Sequence, residues 1–275
     1  MIVFVFVVIC AVLVSHYTGN LCCICRKVKE IYYGKPGCIP LPNPGNVTLH
    51  YFGVRGKAEG IRFIMEEGGI SYDETKFTKA TWPAAKAKGV ESGLYPFGQV
   101  PALITSTGSK VAQSLVVAHF VARSTGLDCD CRDYQRCEML VQGIEDIKYH
   151  FGLLIKHADY DFARRKEFID NVLPVWLKHF EKLAPSLTQQ DGAFFASNRI
   201  TWVDLLVFEV LNQQITYAAD DFGGKTYKNT EILKQSPKLA NFYRQMLKRD
   251  RIDAYLQSER RHPFTHFAKP KEVRT

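Results

Sequence analysis

Between Val47 and Gly126 the apolar residues switch back and forth between strand and helix spacing, and this alternation most narrows the folds open to the chain. Val47-Thr-Leu-His-Tyr51-Phe52 is a run of β-formers and reads as a strand. Phe52 to Gly56 turns, and Ala58, Ile61, Ile64 and Met65 then recur at helical spacing until Gly68-Gly69 stops the helix. Ile70 to Phe77 reads as a second strand. Phe97 to Ile104 and a short run ending near Val111 follow, separated by the Gly-containing turn Thr105 to Ser109. Gln113-Ser114 opens a helix through Ala118, Phe120 and Val121 to Gly126. The order is βαβ, a connection, then ββα, which is an α/β arrangement.

Pro101 interrupts the third of these runs. A proline inside an apparent strand belongs at an edge or in a special turn. A cis Val100-Pro101 bond would leave the backbone of Val100 free to pair with an extended peptide ligand. X-Pro bonds are cis in only ~5% of cases, so the surrounding motif has to carry that expectation.

The motif is present. Tyr51-Phe-x-x-Arg55-Gly-x-Ala-Glu59-x-Ile-Arg62, Thr81-Trp82-Pro83, Phe97-Gly98-Gln99-Val100-Pro101 and Gln113-Ser114 stand in order. Together they resemble the glutathione-binding domain of cytosolic-type glutathione transferases. The likeness is nearest to the sigma class, to which haematopoietic prostaglandin D synthase belongs, with the pi class next. It runs from Val47 to about Ser258. It implies a thioredoxin-like N-terminal domain over residues 46–126 and an all-helical C-terminal domain over 132–258.

The resemblance also implies roles. Glutathione is an extended γ-glutamyl tripeptide whose thiol has a pKa near ~8.5, so little thiolate exists at neutral pH. Tyr51 is the implied catalytic residue, its phenol donating a hydrogen bond to sulfur. Arg55 is a structural or electrostatic support. Gln113 and Ser114 face the γ-glutamyl end, where a hydroxyl, free N–H groups and the helix dipole suit a carboxylate. Ser114 is equally an ordinary N-cap. Trp82 and Lys86 surround the glycyl carboxylate, with Gln99 nearby, and Val100 and Pro101 supply backbone. Lys57 replaces the Arg frequent in sigma enzymes, a point charge where a fork is usual. From Lys86 to Phe97 the chain is several residues longer than the usual sigma connection.

From Arg132 on, no strand is legible. Tyr134 to Ile155 is one long amphipathic helix with Val141, Ile144, Ile147, Phe151 and Leu154 as its buried stripe. Phe162 to Leu183 is another. Thr201-Trp-Val-Asp204 is a capping-box variant flanked by Ile200 and Leu205 as a staple. Ser236-Pro237 opens a last long helix through Phe242, Met246, Ile252 and Leu256. By resemblance Asp146 reaches across a homodimer to the γ-glutamyl ammonium. Phe52, Val54 and Tyr149 line the place of an apolar electrophile, whereas Phe151 is core. Tyr149 and His150 stand where vertebrate prostaglandin D synthases carry an acidic pair linked to metal activation, so no metal role is expected. The implied activity is conjugation of glutathione, a co-substrate rather than a cofactor, to apolar electrophiles in detoxification. Lipid isomerisation, peroxide reduction and a non-catalytic, crystallin-like role are the alternatives.

The N-terminus stands apart. Ile2 to Val14 is an unbroken apolar run, and no Asp, Glu, Lys or Arg precedes Arg26. Residues 1–25 are a membrane anchor or a signal peptide. The absence of Lys or Arg before the run, with Arg26, Lys27 and Lys29 directly after it, favours an anchor with the body facing the cytoplasm. Against this stands the glycosylation sequon Asn46-Val-Thr48, which matters only in a secreted body. Residues 26–45, rich in Pro and Gly toward their end, form a linker, and 259–275 a tail that either folds over the cleft or hangs free.

Composition excludes more than it selects. The formal charge is +8, but the cations are interspersed with acids and form no continuous stripe, which argues against nucleic acid as a partner. Five of the eight cysteines lie in the first 38 residues, and Cys129, Cys131 and Cys137 lie near the middle. No CxxC pair has a matching partner, which argues against zinc. Cys22, Cys23 and Cys25 are sites for palmitate or plain small hydrophobes.

Overall fold

A computed structural model describes residues 41–156, 161–187, 194–219 and 231–264. The apolar N-terminal run and most of the linker lie outside them. Among the described residues no helix is long and apolar enough to cross a membrane. The last linker residues are pinned: the Leu41 N–H donates to the Arg123 carbonyl (3.1 Å) and the Ser106 hydroxyl to the Pro44 carbonyl (3.0 Å).

Strand β1 is Val47–Phe52, followed by a 3-10 turn Gly56–Ala58 and helix α1, Glu59–Gly68. Then come β2 (Tyr72–Phe77), α2 (Trp82–Glu91), β3 (Ala102–Thr105), β4 (Lys110–Ala112) and α3 (Ser114–Thr125). The sheet order is β2-β1-β3-β4, with β1 parallel to β2 and antiparallel to β3. Strand alternation divides β1 cleanly. Val47, Leu49 and Tyr51 are buried with α1 and α3, while Thr48, His50 and Phe52 face the other side. There Phe52, Phe77, Trp82 and Tyr95 form a ring cluster with neighbouring centroids 5.2–6.4 Å apart.

Helix α2 stands where the sequence reading has only a connection. Thr78 and Thr81 bond each other's N–H groups at its start, Pro83 occupies the first turn, and Ala84, Ala85 and Ala87 favour helix. The long connection closes by folding Tyr95 over Gly89, where a Cβ would lie 1.8 Å from the ring. The Tyr95 hydroxyl meets His50 Nδ1 at 2.8 Å.

The second half is helical: α4 (Tyr134–Ile155), α5 (Phe162–Glu167), a π turn (Phe168–Val172), α6 (Leu173–Leu183), α7 (Trp202–Ala219), α8 (Pro237–Leu247) and α9 (Asp250–Gln257). Helix α7 is buried on nearly every side and packs against α1. A Cβ on Gly60 would come within 2.6 Å of Leu206 Cδ2, so a larger residue there would make the leucine side chain shift. Phe63 and Phe208 meet edge to face at 5.1 Å, each burial worth about 1.5–3 kcal/mol. Asp204 does reach back as expected, accepting from the Thr201 N–H and hydroxyl (both 2.8 Å), and also from the Phe195 N–H (2.8 Å).

Two local expectations are corrected, and one feature had no counterpart in the sequence reading. The last long helix is two, because Arg249 is extended (φ −73°, ψ 123°) and restarts the chain at Asp250. Ser236 precedes Pro237 without a side-chain cap bond. Cys129 and Cys137 are joined in a disulfide that closes the loop entering α4.

The first part of the expected tail is bound into the body. Arg261 contacts Glu59 (3.2 Å) and the Asn212 side chain (2.6 Å), and His262 Nε2 lies 2.5 Å from Glu74 Oε2. Residues beyond Phe264 lie outside the described ones.

Candidate active site

Tyr51 ends the buried face of β1, and the turn that follows wraps over its hydroxyl. The phenol oxygen accepts the Lys57 N–H at 3.0 Å. Among the described residues its own proton has no acceptor, so the group is a donor in waiting. Burial raises the phenol above the ordinary tyrosine value, partly countered by the Lys57 N–H, Arg62 and Lys148. A raised phenol keeps its proton through the neutral range, as a hydrogen-bond donor must.

The turn is held by groups that sequence reading left without a role. Arg62, fully buried, donates to the carbonyls of Val54 (3.1 Å) and Arg55 (3.3 Å) while paired with Glu59 (3.2 Å) and Glu74 (2.5 Å). Two carbonyl bonds from one guanidinium fix the loop carrying Gly56 and Lys57. Gly56 has φ +42°, and a Cβ there would sit 2.6 Å from the Tyr51 hydroxyl. Arg55 turns away from the phenol: its Nε donates to the His262 carbonyl (2.8 Å) and its guanidinium lies over Phe264. Burial and the neighbouring Arg261 lower it to about 10.

The other motif residues fall as follows. The Val100-Pro101 bond is cis, and Pro101 is buried ahead of β3. Gln113 takes the cap position of α3 and Ser114 its first helical position, which corrects the reading of Ser114 as N-cap. Gln113 has φ +75°, rare for a residue with a side chain and costly by ~1–3 kcal/mol. Nothing in the sequence signals it. Trp82 packs edge-on to Phe52 at 5.7 Å. Lys86 is exposed, with its terminal methylene beside Gly98, next to Gln99. Lys57 is exposed, 3.9 Å from Glu145. Asp146 is exposed on α4 one residue further on.

A narrow cavity opens beside the turn, lined among others by Val54, Arg55, Gly56, Phe151 and Phe264. Phe52 and Tyr149 do not line it. Phe52 belongs to the ring cluster, and Tyr149 is 64% exposed. Phe151 also packs on Phe168 and Tyr217. At the cavity floor Glu209, nearly fully buried, pairs with Lys148 at 2.6 Å. A second cavity of about 590 Å³, between Phe194, Phe242, Met246, Arg249 and Arg251, is lined by none of the motif residues.

Comparison with known proteins matches both halves of the chain. Residues 47–123 match the family model described as glutathione S-transferase, N-terminal domain, and residues 145–259 the one described as glutathione S-transferase, C-terminal domain. "Probable glutathione S-transferase 6" of Caenorhabditis elegans is 27% identical over 223 residues, covering 78% of this chain and 98% of its own. "Hematopoietic prostaglandin D synthase" of Gallus gallus is 28% identical over 176 residues, covering 64% and 82%. A solved pi-class glutathione S-transferase of Onchocerca volvulus superposes with a TM-score of 0.63 at 23% identity, covering 76% of this chain and 91% of that one, a likeness of fold.

Proposed function

The chain belongs to the glutathione S-transferase family, and we propose that Tyr51 is the residue with which it activates glutathione for attack on apolar electrophiles. The observation that carries the proposal is the free proton of a buried phenol whose oxygen is already anchored by the Lys57 N–H. Donated to sulfur, that hydrogen bond stabilises the thiolate, each unit of thiol pKa being worth about 1.4 kcal/mol. Glutathione lies with its γ-glutamyl end at Gln113 and Ser114 and its glycyl carboxylate toward Trp82, Lys86 and Gln99. The strained Gln113 backbone supports this placing, since such conformations persist where a site demands them.

Glutathione is the co-substrate. The electrophile enters beside Val54, where an apolar wall meets the Phe264 ring. The thiolate forms the new S–C bond, the leaving group departs, and no metal or further cofactor takes part in the step. We place the chain nearest the sigma-like enzymes and infer a homodimer, in which the exposed side chains of Phe97 and Met139 are covered by a second copy and Asp146 of one copy serves the other's ligand.

A turnover assay with 1-chloro-2,4-dinitrobenzene on residues 41–275 tests the reading. Tyr51→Phe should lose about 10–100-fold in kcat near pH 6.5 with glutathione KM little changed. Equal rates in the two proteins would remove Tyr51 from its role.

A further inference from the structure

The loop entering α4 carries Cys129-Asp-Cys131, and Cys137 follows on the helix itself. Cys129 and Cys137 are joined, with both side chains buried, and Cys131 is disulfide-bonded as well. Disulfides of this kind persist in oxidising compartments and are rare where glutathione and thioredoxin keep thiols reduced. Elsewhere on the molecule, Asn46-Val47-Thr48 is the chain's single Asn-x-Ser/Thr sequence. Asn46 is exposed, immediately ahead of β1, and its carbonyl is already used by the Ser106 N–H at 2.9 Å. A sugar on its side chain would therefore disturb neither the strand nor the turn. Glycosylation of that sequence and closure of the disulfide take place in the same compartment, and the two features share no residue.

We propose that the body of this protein matures in the lumen of the secretory pathway, where Asn46 carries an N-linked glycan and the Cys129–Cys137 bond is closed. This assigns the body to the secreted alternative rather than to the cytoplasmic side. The Asn46 amide nitrogen attacks the anomeric carbon of a lipid-linked oligosaccharide diphosphate. The N–C bond forms, the C–O bond to the diphosphate breaks, the lipid diphosphate leaves and the amide proton passes to a base of the transferring enzyme. For the disulfide, two thiols give two electrons and two protons to a disulfide-bearing oxidoreductase, which leaves as a dithiol. Neither step draws on Tyr51, so the inference stands or falls apart from the catalytic reading.

The test uses the full chain expressed in a eukaryotic cell with an intact secretory pathway. Thiols are trapped by alkylation before lysis, and mobility is compared before and after peptide:N-glycosidase treatment. The wild type should lose the mass of one glycan on treatment. Thr48→Ser should keep that shift, and both Asn46→Gln and Thr48→Ala should lack it. Mass spectrometry should find Cys129 and Cys137 in one cross-linked peptide, alkylated only after reduction. A wild-type chain insensitive to the glycosidase, or Cys129 and Cys137 trapped as free thiols, overturns the proposal.

Discussion

Tyr51 owes its position less to its own strand than to the residue that passes over it. Gly56 has φ +42° and leaves no space for a Cβ beside the phenol oxygen. Gly56→Ala should therefore displace the phenol or the Lys57 N–H from the other. The strained backbone alone should cost ~1 kcal/mol in denaturant unfolding, and kcat should fall with unchanged far-ultraviolet dichroism. Wild-type kcat in a destabilised variant would show that the turn does not position the phenol. Arg62 acts one layer further out, holding the carbonyls of Val54 and Arg55. At this scale the sequence was most legible where a motif names a residue, as at Tyr51 and Pro101. It was silent where conformation is imposed from outside, as at Gln113, whose positive φ no side-chain preference announces.

At the scale of elements, the buried polar box at the start of α7 is the sharpest test. Asp204 accepts from three buried donors, the Thr201 N–H and hydroxyl and the Phe195 N–H. Asp204→Ala leaves all three unpaired and should lower unfolding free energy by about 3 kcal/mol or more, read from the urea midpoint. A loss under ~1 kcal/mol would mean that water replaces the carboxylate. Periodicity gave β1 and α4 with their ends, because both are long enough to show one buried face. Helix α2 escaped because its alanine-rich stretch has no apolar stripe to read. The split between α8 and α9 escaped because the apolar spacing continues across the break at Arg249. The disulfide depends on a meeting in space that cysteine spacing does not encode.

Over the whole molecule, charged clamps join the C-terminal segment to the first half. Glu74 is central, bonded to both Arg62 and His262. Burial alone would raise its carboxyl, but the His262 and Arg62 hydrogen bonds outweigh it and hold it below the usual glutamate range. A lowered carboxyl stabilises the fold above its unfolded value, and that stability is lost as pH falls through the lower folded value. Unfolding free energy should thus drop on acidification below about pH 4.5, the ordinary glutamate range. Glu74→Gln should be less stable by about 1–3 kcal/mol at pH 7 and show a flatter acid limb. Parallel acid limbs in the two proteins would place the sensitivity elsewhere.

The central claim concerns the state of a bound sulfur, and it can be measured without turnover. Glutathione bound to the enzyme is titrated by the ultraviolet absorbance of its thiolate, in the wild type and in Tyr51→Phe. The account predicts a thiol pKa below that of free glutathione, near ~8.5, in the wild type, and a return to about that value in the variant. A bound thiol with the same pKa in both proteins would contradict it.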